Sequence, residues 1–208
     1  MTTTRGSDES VFEFREAMSQ LASGVVMVTN WLDGKPWGMT VSACCSVSMT
    51  PPLLLVSLSK DTTSAPAIRQ DGRFGVSILG EGLIEAARFG AAKGQAKFVD
   101  HLCQTGEEAE DVSRTPVVLG AIAHVDCSVE REIEAGDHVI YLGRVRETLL
   151  GDGDLPLVFF SRTYHRLAGS TDLGVGPTEA ETVDSLLYPH PMPTQFMAPP
   201  RPGATGLL

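Results

Sequence analysis

The sequence predicts a mainly β protein, an antiparallel Greek-key barrel with a few short helices, and three observations carry that prediction. About six or seven short runs have strand character, most of them are joined by tight turns, and helical patterns interrupt only a few of the links. Alternating βαβ units with a parallel sheet would need a helix in nearly every connection.

Ser10 followed by Glu13 has the form of a capping box, and Val11, Phe14, Met18 and Leu21 recur at helical spacing, so a first helix is expected over about Val11 to Ala22, ended by Gly24. Val25 to Leu32 is rich in β-branched residues, Asp33-Gly34 is a hairpin turn, and Trp37 to Val41 returns antiparallel. Pro51-Pro52 breaks the chain. Leu53 to Ser59 is then nearly all apolar, the pattern of a core strand covered on both faces. Thr62, Thr63 and Ser64 cap a short helix with Pro66 in its first turn, which stops at Gly72. Arg73 to Leu79 is the next strand and Leu83 to Phe89 another short helix, followed by a solvated acidic run, Glu107 to Asp111. From Ala121, small or apolar residues at 121, 123, 125, 127 and 129 alternate with Ile122, His124, Asp126, Ser128 and Glu130, as in a strand with one face in water. Ala135-Gly136-Asp137 turns into a strand from His138 to Leu150, and after a turn over Gly151 to Asp154, Leu157 to Phe160 completes the set.

The chain has 208 residues and 42% apolar content, enough for one domain with a sizeable core. Seven of the 13 prolines fall between Pro177 and Pro202, so 170–208 is expected to be a disordered tail, with a disordered 1–9 at the other end and the folded domain over 10–169. A formal charge of −10 with scattered Lys and Arg argues against nucleic acid and anionic lipid as partners. No apolar stretch approaches the ~20 residues that span a bilayer, and the polar start lacks the features of a secretory signal, so a cytoplasmic location is the expectation. Cys44, Cys45, Cys103 and Cys127 have neither zinc spacing nor disulfide density and read as free thiols, with Cys127 packed as a small apolar residue. The five histidines are too dispersed to suggest a metal site, and no Walker A run, G-x-G-x-x-G, H-E-x-x-H or G-x-S-x-G motif is present.

Three stretches could carry chemistry. Gly38 to Ser48 is rich in hydroxyls and poor in bulk, so a ligand could approach the backbone there; the same composition fits a strand edge facing water. Gly136-Asp137-His138 is ordinary hairpin chemistry that also presents an imidazole. Arg162-Thr163-Tyr164-His165-Arg166 could hold a dinucleotide phosphate or ring, or simply solvate the end of the domain. Singly, none is specific.

In order, they are. Phe14-Arg15, Leu21 to Val25, Val28-Thr29, Gly38 to Thr40, Ser46 to Ser48, Pro51 to Leu53, Phe74 to Leu79, Ala87 to Phe89, Lys97-Phe98, Gly136 to His138, Gly143 and Pro156 to Phe160 together resemble the flavin reductase family that serves two-component monooxygenases. The resemblance runs from about Phe12 to Leu167 and implies a split barrel, usually a homodimer with flavin near the subunit interface. It further implies reduction of FMN or FAD by NADH or NADPH and delivery to a separate flavin-dependent oxygenase. By resemblance, Thr40, Val41, Ser42 and Ala43 line the isoalloxazine and ribityl chain, Ser57, Ser59 and Ser64 reach the chain or phosphate, and Phe89 and Lys97 close the phosphate end. Ser64 also makes physical sense, since a helix start offers free N–H donors to a phosphate. His138 falls in the segment associated with the nicotinamide cofactor, with Arg162, Tyr164 and His165 as secondary contacts. Such hydride transfer needs alignment of two rings to about 3–3.5 Å and no catalytic acid, base or nucleophile. The chain departs from the family at Ala43 and Cys44, followed by Cys45, where a hydroxyl and a bulky aromatic are usual; this removes a hydrogen bond and opens space beside the ring. The rival expectation is a flavin storage or sensing module that turns over no nicotinamide. A third is a dimerisation domain without ligand.

Overall fold

The structure, a computed structural model, describes residues 7–103, 113–151 and 155–167. In chain order the elements are α1 (Ser7–Ser19), β1 (Ser23–Gly24), β2 (Val26–Leu32), β3 (Lys35–Val41), β4 (Cys44–Met49), β5 (Pro52–Ser59), α2 (Ser64–Asp71), β6 (Arg73–Ile78), a 3-10 turn (Glu81–Leu83) and α3 (Ile84–Ala91). They continue with β7 (Ala123–Ala135), β8 (His138–Leu150), β9 (Leu157–Phe160) and β10 (Thr163–Arg166). The acidic run and the Pro-rich tail lie outside the described residues. No helix among the described residues is long and apolar enough to cross a membrane.

Seven strands form one antiparallel sheet in the order β3-β2-β6-β7-β8-β5-β4. Its two end strands, β3 and β4, are consecutive in the chain and separated only by Ser42 and Ala43, so the sheet must curl until its margins meet. The core confirms the curl: Val26 and Val28 of β2 pack in one cluster with Leu54, Val56 and Leu58 of β5 and Val139 and Tyr141 of β8. Helix α2 closes one end of this barrel with Ala65 and Ile68, and the Tyr141 hydroxyl donates to the Ala65 carbonyl at 2.7 Å. A second sheet, β1-β9-β10, and α3 enclose a smaller cluster around Val25, Met27, Leu79 and Leu157.

The turns follow their chemistry. Asp33 and Gly34 both have positive φ, 52° and 73°, as a two-residue hairpin requires, and Gly136 does the same between β7 and β8. Gly72 ends α2 in the left-handed region.

Several expectations need correction. The first helix starts at Ser7 and ends at Ser19, so Ser10 lies inside it and caps nothing, residues 7–9 are helical, and Gly24 belongs to β1. Thr63 stands at the start of α2 but makes no side-chain capping bond. The described residues hold ten strands, where about six or seven were expected. The misses were β1, β4 and β10: β4 lay within a stretch without alternation, and the β9–β10 turn, Ser161-Arg162, contains no glycine. β5 alternates, with Leu54, Val56 and Leu58 buried and Leu53, Leu55, Ser57 and Ser59 half-exposed, so it is covered on one face only.

β7 departs furthest. His124 and Asp126, expected in water, are 2% and 1% exposed. The segment from Ser113 to Val118 lies across this face and is held by side chains. Thr29 donates to the Pro116 carbonyl at 2.7 Å and the Trp31 indole to the Arg114 carbonyl at 3.0 Å. Asp126 accepts from the Arg114 amide at 3.2 Å, and Ser77 from the Val118 amide at 3.3 Å. A polar stripe can thus be buried when its groups find partners: His124 meets the Ser77 and Thr115 hydroxyls, and Asp126 meets the Arg114 amide and the Arg73 guanidinium through one carboxylate oxygen. Cys127 packs in the core as expected, and all four cysteines are free.

Candidate functional site

β3 leaves the sheet at Ser42, and there its last residues face a cleft of about 120 Å³ lined by Val25, Thr40, Val41, Ser42, Ala91, Phe159 and Tyr164. Two close packings shape it. A Cβ on Gly90 would come within 2.3 Å of Thr40 Oγ1 and 2.9 Å of its amide nitrogen, so only glycine lets α3 lie flush on β3. A Cβ on Gly38 would similarly meet Met27 Sδ at 2.6 Å. The Thr40 hydroxyl is buried and has no hydrogen-bond partner. Tyr164 forms the opposite wall, its ring 5.3 Å from that of Phe159 and its hydroxyl 3.4 Å from the Ala87 carbonyl. Burial pushes that phenol above its ordinary pKa.

From the cleft the chain turns through Ala43, whose carbonyl accepts from the Ser57 amide at 3.0 Å, tying the bend to β5. Ser57 and Ser59 follow on the outward face of β5, opposite Ile140 and His138 of β8. His138 Nδ1 lies 2.7 Å from Asp137 Oδ1, an interaction that holds the Asp137 carboxyl below its usual range. The Lys60 amide donates to the Asp137 carbonyl at 3.0 Å, joining the β5–α2 turn to the β7–β8 turn.

The structure therefore gathers the expected residues into two neighbouring groups. Thr40, Val41, Ser42 and Tyr164 share the cleft, and Ala43, Ser57, Ser59 and His138 continue from it. Tyr164, expected with the nicotinamide contacts, stands beside the flavin-lining residues. Ser64 is fully buried in the first turn of α2, with its hydroxyl unpartnered. Phe89 is half-buried and meets the His101 ring edge-on at 5.6 Å. The Lys97 carbonyl accepts from the Gly38 amide at 3.0 Å, and partial burial lowers its ammonium pKa. Arg162 pairs instead with Glu16 of α1, and His165 Nε2 sits 3.1 Å from the Phe160 carbonyl, so both serve the β9–β10 hairpin. Val25, Gly90, Ala91 and Phe159 were not anticipated. None of these carried a signal: the helix expected over Leu83 to Phe89 stops one residue short of Gly90, which α3 includes because it runs on to Ala91.

The donor set suits a flat ring system with polar edges. Apolar walls and an orphaned hydroxyl meet at the end of a strand, although the cleft is too small to enclose three fused rings and would receive only one edge. Beside it, burial pushes the Cys44 thiol up to about 11, leaving it protonated and unreactive near neutrality.

The flavin reductase like domain model matches residues 18–168. The actinorhodin polyketide dimerase of Streptomyces coelicolor is 36% identical over 157 residues, 75% of this chain and 86% of that protein. The reductase component of a 4-nitrophenol 4-monooxygenase/4-nitrocatechol 2-monooxygenase from Rhodococcus opacus is 36% identical over 181 residues, 86% of this chain and 91% of its own. Among solved structures, the NADH:FAD oxidoreductase of Streptomyces globisporus in complex with NAD and FAD fragments superposes with a TM-score of 0.70 at 30% identity, covering 82% of this chain and all (100%) of that one. With the barrel, the cleft at Thr40 to Ser42 and these matches in hand, the chain belongs to the flavin reductase-like family.

Proposed function

We propose that this protein is an NAD(P)H-dependent reductase of FMN or FAD that supplies reduced flavin to a separate flavin-dependent monooxygenase. The observation that carries the reading is the continuous run from the Thr40–Ser42 cleft through Ala43 and Ser57 to Ser59 and the His138–Asp137 pair. Bound flavin supplies the acceptor for a hydride from reduced nicotinamide. The chain's own task is positional: Ser42 offers its hydroxyl to the ring edge, Thr40 and Val41 line the cleft beneath it, Tyr164 and Phe159 exclude water on one side, and Asp137 orients the His138 imidazole. No residue of the cleft is required to move a proton, in keeping with its Thr, Ser, Val and aromatic lining. The unit that performs this is the barrel domain ending near Gly169.

We also read the working form as a homodimer. The α1 face bearing Val11, Phe14 and Met18 is exposed, as is Ile133 beside the half-exposed Leu55, Ile140 and Leu142 on the outer sheet. Surfaces of that kind mark association sites.

Oxidation of NADH and NADPH with FMN, FAD and riboflavin in turn tests the activity. Flavin binding without nicotinamide oxidation would replace this reading with a storage or sensing module. His138→Ala is expected to raise the KM for NADH at least tenfold with flavin Kd unchanged; equal loss of both would refute its nicotinamide role.

A further inference from the structure

A second and larger hollow shares no residue with the cleft. It measures about 220 Å³ and runs between α2 and the tip of the β2–β3 hairpin, with Trp31, Asp33, Thr63, Pro66, Gln70 and Asp71 on its walls. We propose that this groove is a docking site for a partner protein, which anchors there by inserting one arginine side chain.

The charge of the walls calls for a cation. Asp33 and Asp71 are exposed, and among the described residues neither carboxylate has an ion-pair partner. The cations closest to them in sequence are engaged elsewhere. Lys35 lies over the Phe98 ring at 5.7 Å from its centre, Arg69 pairs with Glu132, and Arg73 reaches Asp126 at 3.5 Å. The groove itself has no Lys or Arg on its walls. Two carboxylates without counter-ions, one from the hairpin and one from α2, therefore face the same opening and attract a positive group to it. The formal charge of −10 on the whole chain adds to that attraction at long range.

Trp31 selects the kind of cation. Its indole N–H donates to the Arg114 carbonyl at 3.0 Å, which fixes the plane of the half-exposed ring, so a stacking face is in place before a partner arrives. A planar guanidinium can lie flat on an indole while its N–H edge donates to a carboxylate, a combination that an ammonium does not offer. Pro66 supplies apolar contact for the methylene stem. At about 220 Å³ the groove is smaller than the ~300–1,000 Å³ of small-molecule sites and fits one anchoring side chain. It also favours arginine within a chain over the free amino acid. No cation stands on the walls to meet a free α-carboxylate, whereas the Gln70 amide and Thr63 hydroxyl can bond to the neutral peptide groups flanking an arginine.

The test uses the full chain and N-acetylated, C-amidated tripeptides with arginine, lysine or citrulline at the centre, beside free arginine. Binding is followed by the NMR shift of the Trp31 indole N–H, assigned with Trp31→Phe and distinguished from that of the buried Trp37. The arginine peptide is expected to saturate with a Kd on the order of 1 mM. The lysine peptide should bind about threefold more weakly and the neutral citrulline peptide at least about tenfold more weakly. Asp33→Asn and Asp71→Asn lie on the exposed surface and should each weaken the arginine peptide about threefold, and together about tenfold, with NADH-dependent flavin reduction unchanged. No saturable shift, equal affinity for the arginine and citrulline peptides, or undiminished affinity in the double variant would overturn the docking site. So would tighter binding of free arginine than of its peptide, or loss of flavin reduction when the peptide saturates.

Discussion

His124 is neutral in the folded protein because burial pushes its pKa from 6.5 down to about 4. Its Nδ1 lies 2.8 Å from the Ser77 hydroxyl and its Nε2 3.0 Å from that of Thr115, an arrangement one neutral ring satisfies by donating at one nitrogen and accepting at the other. The unfolded chain takes up a proton near 6.5 that the folded chain refuses until about 4. Stability should therefore fall as pH drops through that window, by up to about 3 kcal/mol, and be untouched by this group above it. Denaturant titrations across the window should show the slope in the wild type and a flattened one in His124→Gln. Gly90 acts sterically. Gly90→Ala is expected to cost about 1–3 kcal/mol and to weaken flavin binding by displacing Thr40. Gly82→Ala serves as the control, since its Cβ would meet nothing within 4 Å. The hydroxyls of Thr40 and Ser42 were readable from composition, whereas His124 was not. A polar residue alternating along a strand reads as solvent-facing unless the segment that covers it is known, and nothing local to β7 announces Ser113 to Val118.

At the scale of elements, the hairpins with glycine were legible and the one without it was not. Asp33-Gly34 and Gly136-Asp137 announce their turns, while Ser161 and Arg162 adopt φ of 47° and 61° with ordinary side chains. That turn docks on α1: the Ser161 amide donates to the Ser19 carbonyl at 2.8 Å, and Arg162 pairs with Glu16. Ser161→Asn should relieve part of the strain and stabilise the protein by about 0.5–1 kcal/mol, measured as a rise in the denaturation midpoint, because Asn tolerates the left-handed region. The exposed Arg162–Glu16 pair itself contributes no more than about 1 kcal/mol. The boundaries of α1 were displaced for a related reason. Helical spacing of Val11, Phe14 and Met18 marks a face, yet it does not mark an end, and the capping pattern at Ser10 competes with a helix that begins in Ser7-Asp8-Glu9, where acidic residues favour the N-terminal dipole.

At the scale of the molecule, α1 offers Phe12, Phe14 and Met18 at 62%, 66% and 45% exposure, more apolar area than a solitary helix usually leaves in water. Sedimentation should accordingly find twice the mass of one chain, with Phe14→Asp shifting the population toward monomer; a wild type that stays monomeric at micromolar concentration would refute the dimer. The barrel was readable because strand count and turn density limit the architectures open to a chain of this length. Its closure was not, because closure depends on pairings between distant strands such as β5 with β8.

The order of strands leaves the barrel with one unlaced margin, between β3 and β4, and the backbone crosses it at Ser42 and Ala43, the residues proposed to touch flavin. A ligand seated there bridges two strands at opposite ends of the sheet and acts as a removable stitch, adding stability that grows with the logarithm of free ligand once its concentration exceeds Kd. A reductase built this way would tighten each time it loads and slacken each time it delivers, so that the same seam which admits the ring also eases its departure toward a waiting oxygenase.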